Sequence, residues 1–70
     1  MTTYRLGSSK MIYAPGVIIW AINGYAFKRD RAAMLRVVLA GWDIPKKVAK
    51  GLLSKQIPYE VQGETVVFEA

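Results

Sequence analysis

The sequence contains no cysteine and no histidine among its 70 residues. The absence of cysteine excludes disulfide bonds and thiolate metal sites, and it agrees with a reducing, cytoplasmic environment. The absence of histidine removes the commonest metal ligand and the commonest general base. The five carboxylates are scattered, and no glycine-rich phosphate loop is present. We therefore expect a protein that is not an enzyme and that needs no cofactor and no metal ion.

The chain is also short. Seventy residues provide for one domain, 1–70, and a domain of this size buries only about 60% of its unfolded surface. Apolar packing alone has to hold the fold, and 53% of the residues are hydrophobic. So high a fraction in so small a body leaves apolar side chains at the surface. A homodimer is therefore expected.

Acidic residues are few and unevenly placed. Ten basic residues against five acidic ones give a net charge of +5. All ten bases lie between Arg5 and Lys55, where two acids oppose them, so this part carries 10 − 2 = +8; residues 56–70 carry three glutamates and no base, or −3. A positive body of this kind indicates an anionic partner, which is a nucleic acid, a membrane surface or an acidic protein.

The longest apolar segment, residues 11–27, does not predict a membrane span. As a helix its seventeen residues would reach about 25 Å, short of the roughly 30 Å of a bilayer core. Two folded interpretations remain open. Pro15 and Gly24 can bracket a helix, which would place Trp20 in the core and leave residues 25–27 as a very short strand. Alternatively, turns at Pro15 and Gly24 can delimit a β-meander. We favour the helix.

The middle of the chain predicts two helices joined by a tight turn. Asp30 can cap a helix over residues 31–40, and Gly41 ends it. Asp43 can cap the next helix, with Pro45 at its first position. That helix carries an apolar stripe at i, i+3 and i+4 spacing, made of Val48, Ala49, Leu52 and Leu53. The four-residue joint, 41–44, predicts a helix-turn-helix shape in which Trp42 packs between the helices.

The C-terminal residues predict a β-hairpin. Apolar residues alternate through residues 57–61 and again at Val66 and Phe68, with a two-residue turn at Gln62-Gly63. This turn would place Tyr59 opposite Val66. Pro58 cannot donate to a ladder, so the first hairpin strand is expected at an edge. At the other end of the chain, residues 1–9 are expected to form a loose arm or a short strand.

This order of elements resembles the winged helix-turn-helix domain over about residues 15–70. The resemblance implies an α+β fold with three short helices and a C-terminal β-hairpin. Two features depart from the family pattern. Lys47 and Lys50 stand where the tightest helix-turn-helix pattern has apolar residues, and the hairpin turn is much shorter than a typical wing.

The outward face of the third helix carries the functional hypothesis. With the apolar stripe inside, Lys46, Lys47, Lys50 and Ser54 face outward with no acid among them, as a helix entering an anionic groove requires. Arginine guanidinium groups suit phosphate contacts, and three arginines on the preceding helix are expected to hold the flanking DNA backbone. These are Arg29, Arg31 and Arg36.

The sequence therefore predicts a small basic protein that binds double-stranded DNA, as a transcriptional regulator or accessory factor of the phage or plasmid type. Glutamates 60, 64 and 69 would repel phosphates, so the hairpin is expected to pack on the core or form a dimer edge. The alternative is a protein–protein interaction module, a small phage-type inhibitor that docks its basic face on an acidic host protein. In the simplest reading, the lysines are only the solvated side of an amphipathic helix.

Overall fold

The computed structural model describes residues 1–7 and 16–70. In chain order it contains β1 (Thr3–Leu6), α1 (Val17–Ala26), α2 (Arg31–Gly41), α3 (Lys46–Leu53), β2 (Tyr59–Gln62) and β3 (Thr65–Glu69). The strands form one antiparallel sheet in the order β1-β3-β2. The predicted α+β class, with three helices followed by a hairpin, is confirmed.

The N-terminal strand completes the sheet. β1 pairs with β3, and reciprocal backbone hydrogen bonds between Thr2 and Ala70 extend this pairing by one residue (2.8 and 3.0 Å). Tyr4 lies opposite Phe68, and their rings stack with centroids 5.1 Å apart. Of the two expectations for the N-terminus, the strand is therefore the right one over residues 3–6. It makes β3 the central strand and leaves β2 at an edge, as Pro58 predicted.

The apolar segment before residue 27 forms a helix and not a meander over its described part, and two details of the prediction are wrong. Gly24 lies inside α1, and Tyr25 and Ala26 are helical, so there is no short strand there. Gly24 faces Met34 closely, since a Cβ atom at this position would lie 3.2 Å from the Met34 sulfur. Gly24 therefore lies within the helix at its contact with Met34 and is not the residue that follows the helix end. Pro15 lies outside the described residues.

The two central helices start differently. The Asp30 carboxylate caps α2 as predicted, because its Oδ1 accepts a hydrogen bond from the Ala33 N–H at 3.1 Å. α3, however, begins at Lys46. Pro45 has an extended conformation (φ −60°, ψ 144°), and its carbonyl accepts the hydrogen bond from Ala49, so Pro45 is the N-cap. The prediction that Asp43 caps this helix with Pro45 as its first residue is wrong.

The core lies between the helices and one face of the sheet. Its fully buried large side chains come from every helix and from β3. They are Ile18, Ile22, Val38, Leu52, Leu53 and Val66. Ala49, Leu52 and Leu53 are completely buried, and Val48 packs at the margin of the core, which confirms the predicted inward stripe of α3.

The two tryptophans have different environments. Trp42, in the α2–α3 connection, is buried as predicted, and within the described residues its indole N–H has no hydrogen-bond acceptor. Trp20 is 49% exposed, so its predicted core position is wrong although the helix that carries it is present. The reason is that α1 is apolar on all sides, while only the side with Ile18 and Ile22 meets the rest of the protein.

The hairpin has the predicted faces but a different register. The turn residues are Gly63 and Glu64, so Tyr59 lies opposite Phe68 and Val61 opposite Val66. Gly63 takes φ 64° at the first turn position, the place where a type II′ turn requires a positive φ. Glycine adopts this conformation without steric cost, which explains why the turn lies one residue later than predicted. Because the shift in pairing is two residues, every side chain stays on its predicted face.

None of the helices in residues 1–7 and 16–70 combines the length and the apolar character that crossing a bilayer requires.

Candidate nucleic-acid interface

Three lysines of α3 line one groove on the protein surface. Lys46, Lys47 and Lys50 are all exposed, and together they border a depression of about 810 Å³. On a helix these three positions fall within an arc of about 100°, so their side chains leave the same side. The other lining residues are Val48, Gly51, Gln56, Ile57 and Ala70. We call this surface the lysine groove. It confirms that the three predicted lysines are brought together and are accessible.

Two of the three lysines stand at the end of α3 where a cation is unfavourable, whereas Lys50 lies in the last turn. Lys46 and Lys47 are the first two helical residues, the N-cap side chain makes no hydrogen bond, and the first turn contains no acid. The free N–H groups and the helix dipole already make this end positive, and a cation there costs about 0.3–1 kcal/mol. The charges of Lys46 and Lys47 therefore do not stabilise α3.

The second half of α3 is less accessible because the following loop folds back over it. The Gly51 carbonyl accepts hydrogen bonds from the Gln56 N–H (3.0 Å) and the Ile57 N–H (3.1 Å). Ile57 then lies so close that a Cβ atom on Gly51 would be 2.7 Å from its Cδ1. On the outward side of α3, the side chains of Lys46, Lys47 and Lys50 remain exposed.

Ser54 does not join the lysines. It is the C-cap residue of α3, and its hydroxyl donates to the Gly51 carbonyl at 3.3 Å. This hydroxyl therefore takes part in ending the helix, and Ser54 is not among the residues that line the lysine groove.

The three predicted arginines lie apart from the groove. Arg29 is in the α1–α2 loop and not on a helix, as the bounds of α1 and α2 require. Arg31 begins α2, and its guanidinium lies 4.9 Å above the centre of the Tyr25 ring. Arg36 is exposed in the middle of α2. None of the three lines the lysine groove.

The apolar floor of the groove is what sequence reasoning missed. The sequence pattern predicts Val48 in the core stripe and Ile57 in the hairpin, yet in the structure both residues line the groove beside the lysines. The only sequence signal was Gly51, a helix breaker on the outward side of α3, which marks a place where another part of the chain approaches closely.

The glutamates of the hairpin are kept away from the lysines. Glu60 lies opposite Val67, which also pairs with Arg5, so Glu60 and Arg5 share the sheet face that points away from the core. Glu64 is in the turn, and Glu69 is exposed near the end of β3. No glutamate borders the lysine groove, so the residues lining it carry three positive side chains and no carboxylate side chain.

The described residues thus form a small α+β fold whose last two helices are joined by four residues, 42–45, and whose last helix carries a cationic groove. No family model matches this sequence, and no match was found among curated proteins or solved structures.

Proposed function

We propose that this chain is a small protein that binds double-stranded DNA through α3, with a winged helix-turn-helix-like arrangement, and that it acts as a transcriptional regulator or accessory factor. The observation that carries this proposal is the lysine groove. Three exposed ammonium groups leave one side of a short helix, and the buried Ala49, Leu52 and Leu53 anchor that helix in the core. A cationic helix whose groove is lined by no acidic side chain fits the anionic groove of a duplex.

The order of the elements supports the same proposal. α2 and α3 are consecutive helices with a short connection, and a hairpin follows directly after α3. In helix-turn-helix proteins the second helix of the pair enters the major groove with its N-terminal residues foremost. Here Lys46 and Lys47 are the first two residues of α3, and Lys50 follows about one turn later.

The chemistry of the groove favours contacts with the DNA backbone. Lysine is a point charge that binds phosphates well but distinguishes bases poorly compared with arginine or asparagine. Gln56 is the one side chain lining the groove whose amide can both donate to and accept from a base edge. We therefore expect broad sequence tolerance, with Arg36 on α2 available for the flanking backbone.

The test is the salt dependence of duplex binding. Affinity falls as salt rises, and each of Lys46→Gln, Lys47→Gln and Lys50→Gln is expected to make the slope of log affinity against log salt shallower by about one unit. The reason is that each phosphate that loses its lysine keeps one counterion when the protein binds. The measurement is fluorescence anisotropy with a labelled random duplex at several salt concentrations.

Arg5→Gln is the matched control, because it removes the same charge from the sheet face that points away from the helices. If all four variants lose the same amount of affinity, net charge alone explains the loss, which would contradict a DNA-binding site on α3. Unchanged affinity in the three lysine variants would also overturn the proposal.

A second function has one specific observation in its favour. The floor of the lysine groove includes Val48 and Ile57, and an apolar floor with a basic rim fits an acidic amphipathic helix of another protein. In this case the chain is an interaction module of the small inhibitor type. Ile57→Ser would then weaken capture of the partner strongly, whereas duplex binding through phosphates would change little.

A further inference from the structure

The outward side of α1 is apolar and has no partner among the described residues. Trp20 is 49% exposed and Phe27 is 79% exposed, and both are among the few large hydrophobic side chains that the fold leaves in solvent. Asn23 lies between them and is also exposed. Spacings of three and four residues place all three on one side of the helix. We call Trp20, Asn23 and Phe27 the α1 outer face.

Charge limits what can cover this face. Residues 16–27 contain no charged side chain, although the whole chain carries ten basic residues. A helix that lies on a membrane surface needs lysine or arginine along its polar side, and α1 has none. An acidic partner would be selected by basic groups within the contact, and none lies on this helix. Two copies of the positively charged chain, in contrast, can approach each other along α1 without placing like charges in contact.

The face is also complementary to itself. Trp20 and Phe27 lie about 10.5 Å apart along the helix axis, and Asn23 is close to the midpoint between them. If two α1 helices pack antiparallel about a twofold axis at this midpoint, Trp20 of each copy meets Phe27 of the other, and the two Asn23 amides meet at the axis. An amide both donates and accepts, so it can pair with its own copy, and a single buried asparagine can fix such a register. Lys28 and Arg29 then lie at opposite ends of the pair.

We propose that the chain forms a twofold dimer through the α1 outer face, with Asn23 at the axis. The two aromatic side chains expose about 250 Å² per copy, or roughly 500 Å² for the pair, against the 1,200 Å² or more of stable interfaces. An interface of this size gives a weak dimer. It forms without DNA and does not depend on the function proposed for α3.

Sedimentation velocity without DNA, from about 10 μM to about 1 mM protein, tests this dimer. Asn23→Asp places two carboxylates at the axis and is expected to raise the dissociation constant at least about tenfold. Phe27→Ala removes half of the aromatic contacts and is expected to have an effect of similar size. Both side chains are exposed in the monomer, so its fold is preserved. Gln62→Glu makes the same charge change on the exposed edge strand and is expected to have no effect.

A cysteine at the axis gives a second measurement, since the chain has none of its own. Asn23→Cys is expected to form a disulfide-linked dimer on mild oxidation, while Gln62→Cys remains monomeric under the same conditions. A monomer at every concentration overturns the proposal. So does a dimer that resists Asn23→Asp and Phe27→Ala, or one that Gln62→Glu weakens instead, because the contact would then lie at the β2 edge.

Discussion

α1 and α3 are built alike at their C-terminal ends and differ on their outward sides. In each, the third residue from the end is glycine (Gly24 and Gly51), and its carbonyl accepts a hydrogen bond from the N–H five residues later (3.1 and 3.0 Å). In each, a lysine with positive φ follows the C-cap residue, Lys28 at 58° and Lys55 at 62°. The N–H of each of these lysines also donates to the carbonyl three residues before it (Tyr25, 3.1 Å; Leu52, 3.2 Å), and the two bonds together make both ends Schellman motifs.

The outward sides have opposite chemistry. α1 presents aromatic rings and one amide, and α3 presents three ammonium groups. Both helices bury their other side in the same core. The helix ends and the buried stripes therefore determine how the chain folds. The fold leaves the outward sides of the helices free to vary, and these sides determine what the chain contacts.

The largest effect is expected in the shared core. Ile22→Ala in α1 and Leu52→Ala in α3 each empty a fully buried position, so each is expected to lower the free energy of unfolding by about 2–5 kcal/mol. This is most of the stability that a domain of this size can have. Urea unfolding followed by tryptophan fluorescence measures it, with the exposed Val61→Ala as control. A small loss at one position alone would mean that its helix is not part of the core.

A moderate difference is expected between the two glycines. Gly51→Ala pushes against Ile57 at 2.7 Å, and Ile57 has to move, so we expect a loss of about 1 kcal/mol despite the better helix propensity of alanine. Gly24→Ala meets the flexible Met34 side chain at 3.2 Å, and we expect a change below about 0.5 kcal/mol. Midpoints in urea distinguish these outcomes. Equal losses would show that the loop over α3 is no tighter than the α1–α2 contact.

The smallest effect is expected at the two left-handed lysines. Lys28→Gly and Lys55→Gly each relieve a conformation that costs a residue with a Cβ atom about 1 kcal/mol. The greater freedom of glycine in the unfolded chain offsets part of this gain, so stability should rise by about 0.5 kcal/mol in both. Thermal unfolding of the two variants in parallel measures it. A loss of stability in either variant would contradict the matching geometry of the two helix ends.

Local signals predicted the parts of the fold that depend on local interactions. The Asp30 cap, the end of α2 at Gly41 and the inward stripe of α3 are each determined by residues within a few positions of one another, and the structure has them as expected. Local reasoning failed where two signals competed. Gly24 and Pro45 have several roles open to them in a sequence, and Gly63 can occupy either turn position, so the end of α1, the start of α3 and the hairpin turn were each misplaced.

The sequence by itself determined the two central helices and the hairpin, the faces of α3 and the hairpin, and the grouping of Lys46, Lys47 and Lys50, because helical and strand periodicity orient side chains without help from distant residues. Tertiary structure alone decided which side of α1 is exposed, since a helix that is apolar on all sides contains no periodic signal of direction. It also decided that Ile57 covers Gly51 and gives the lysine groove an apolar floor. A contact of this kind depends on how the loop after α3 folds back, which no pattern along the chain encodes.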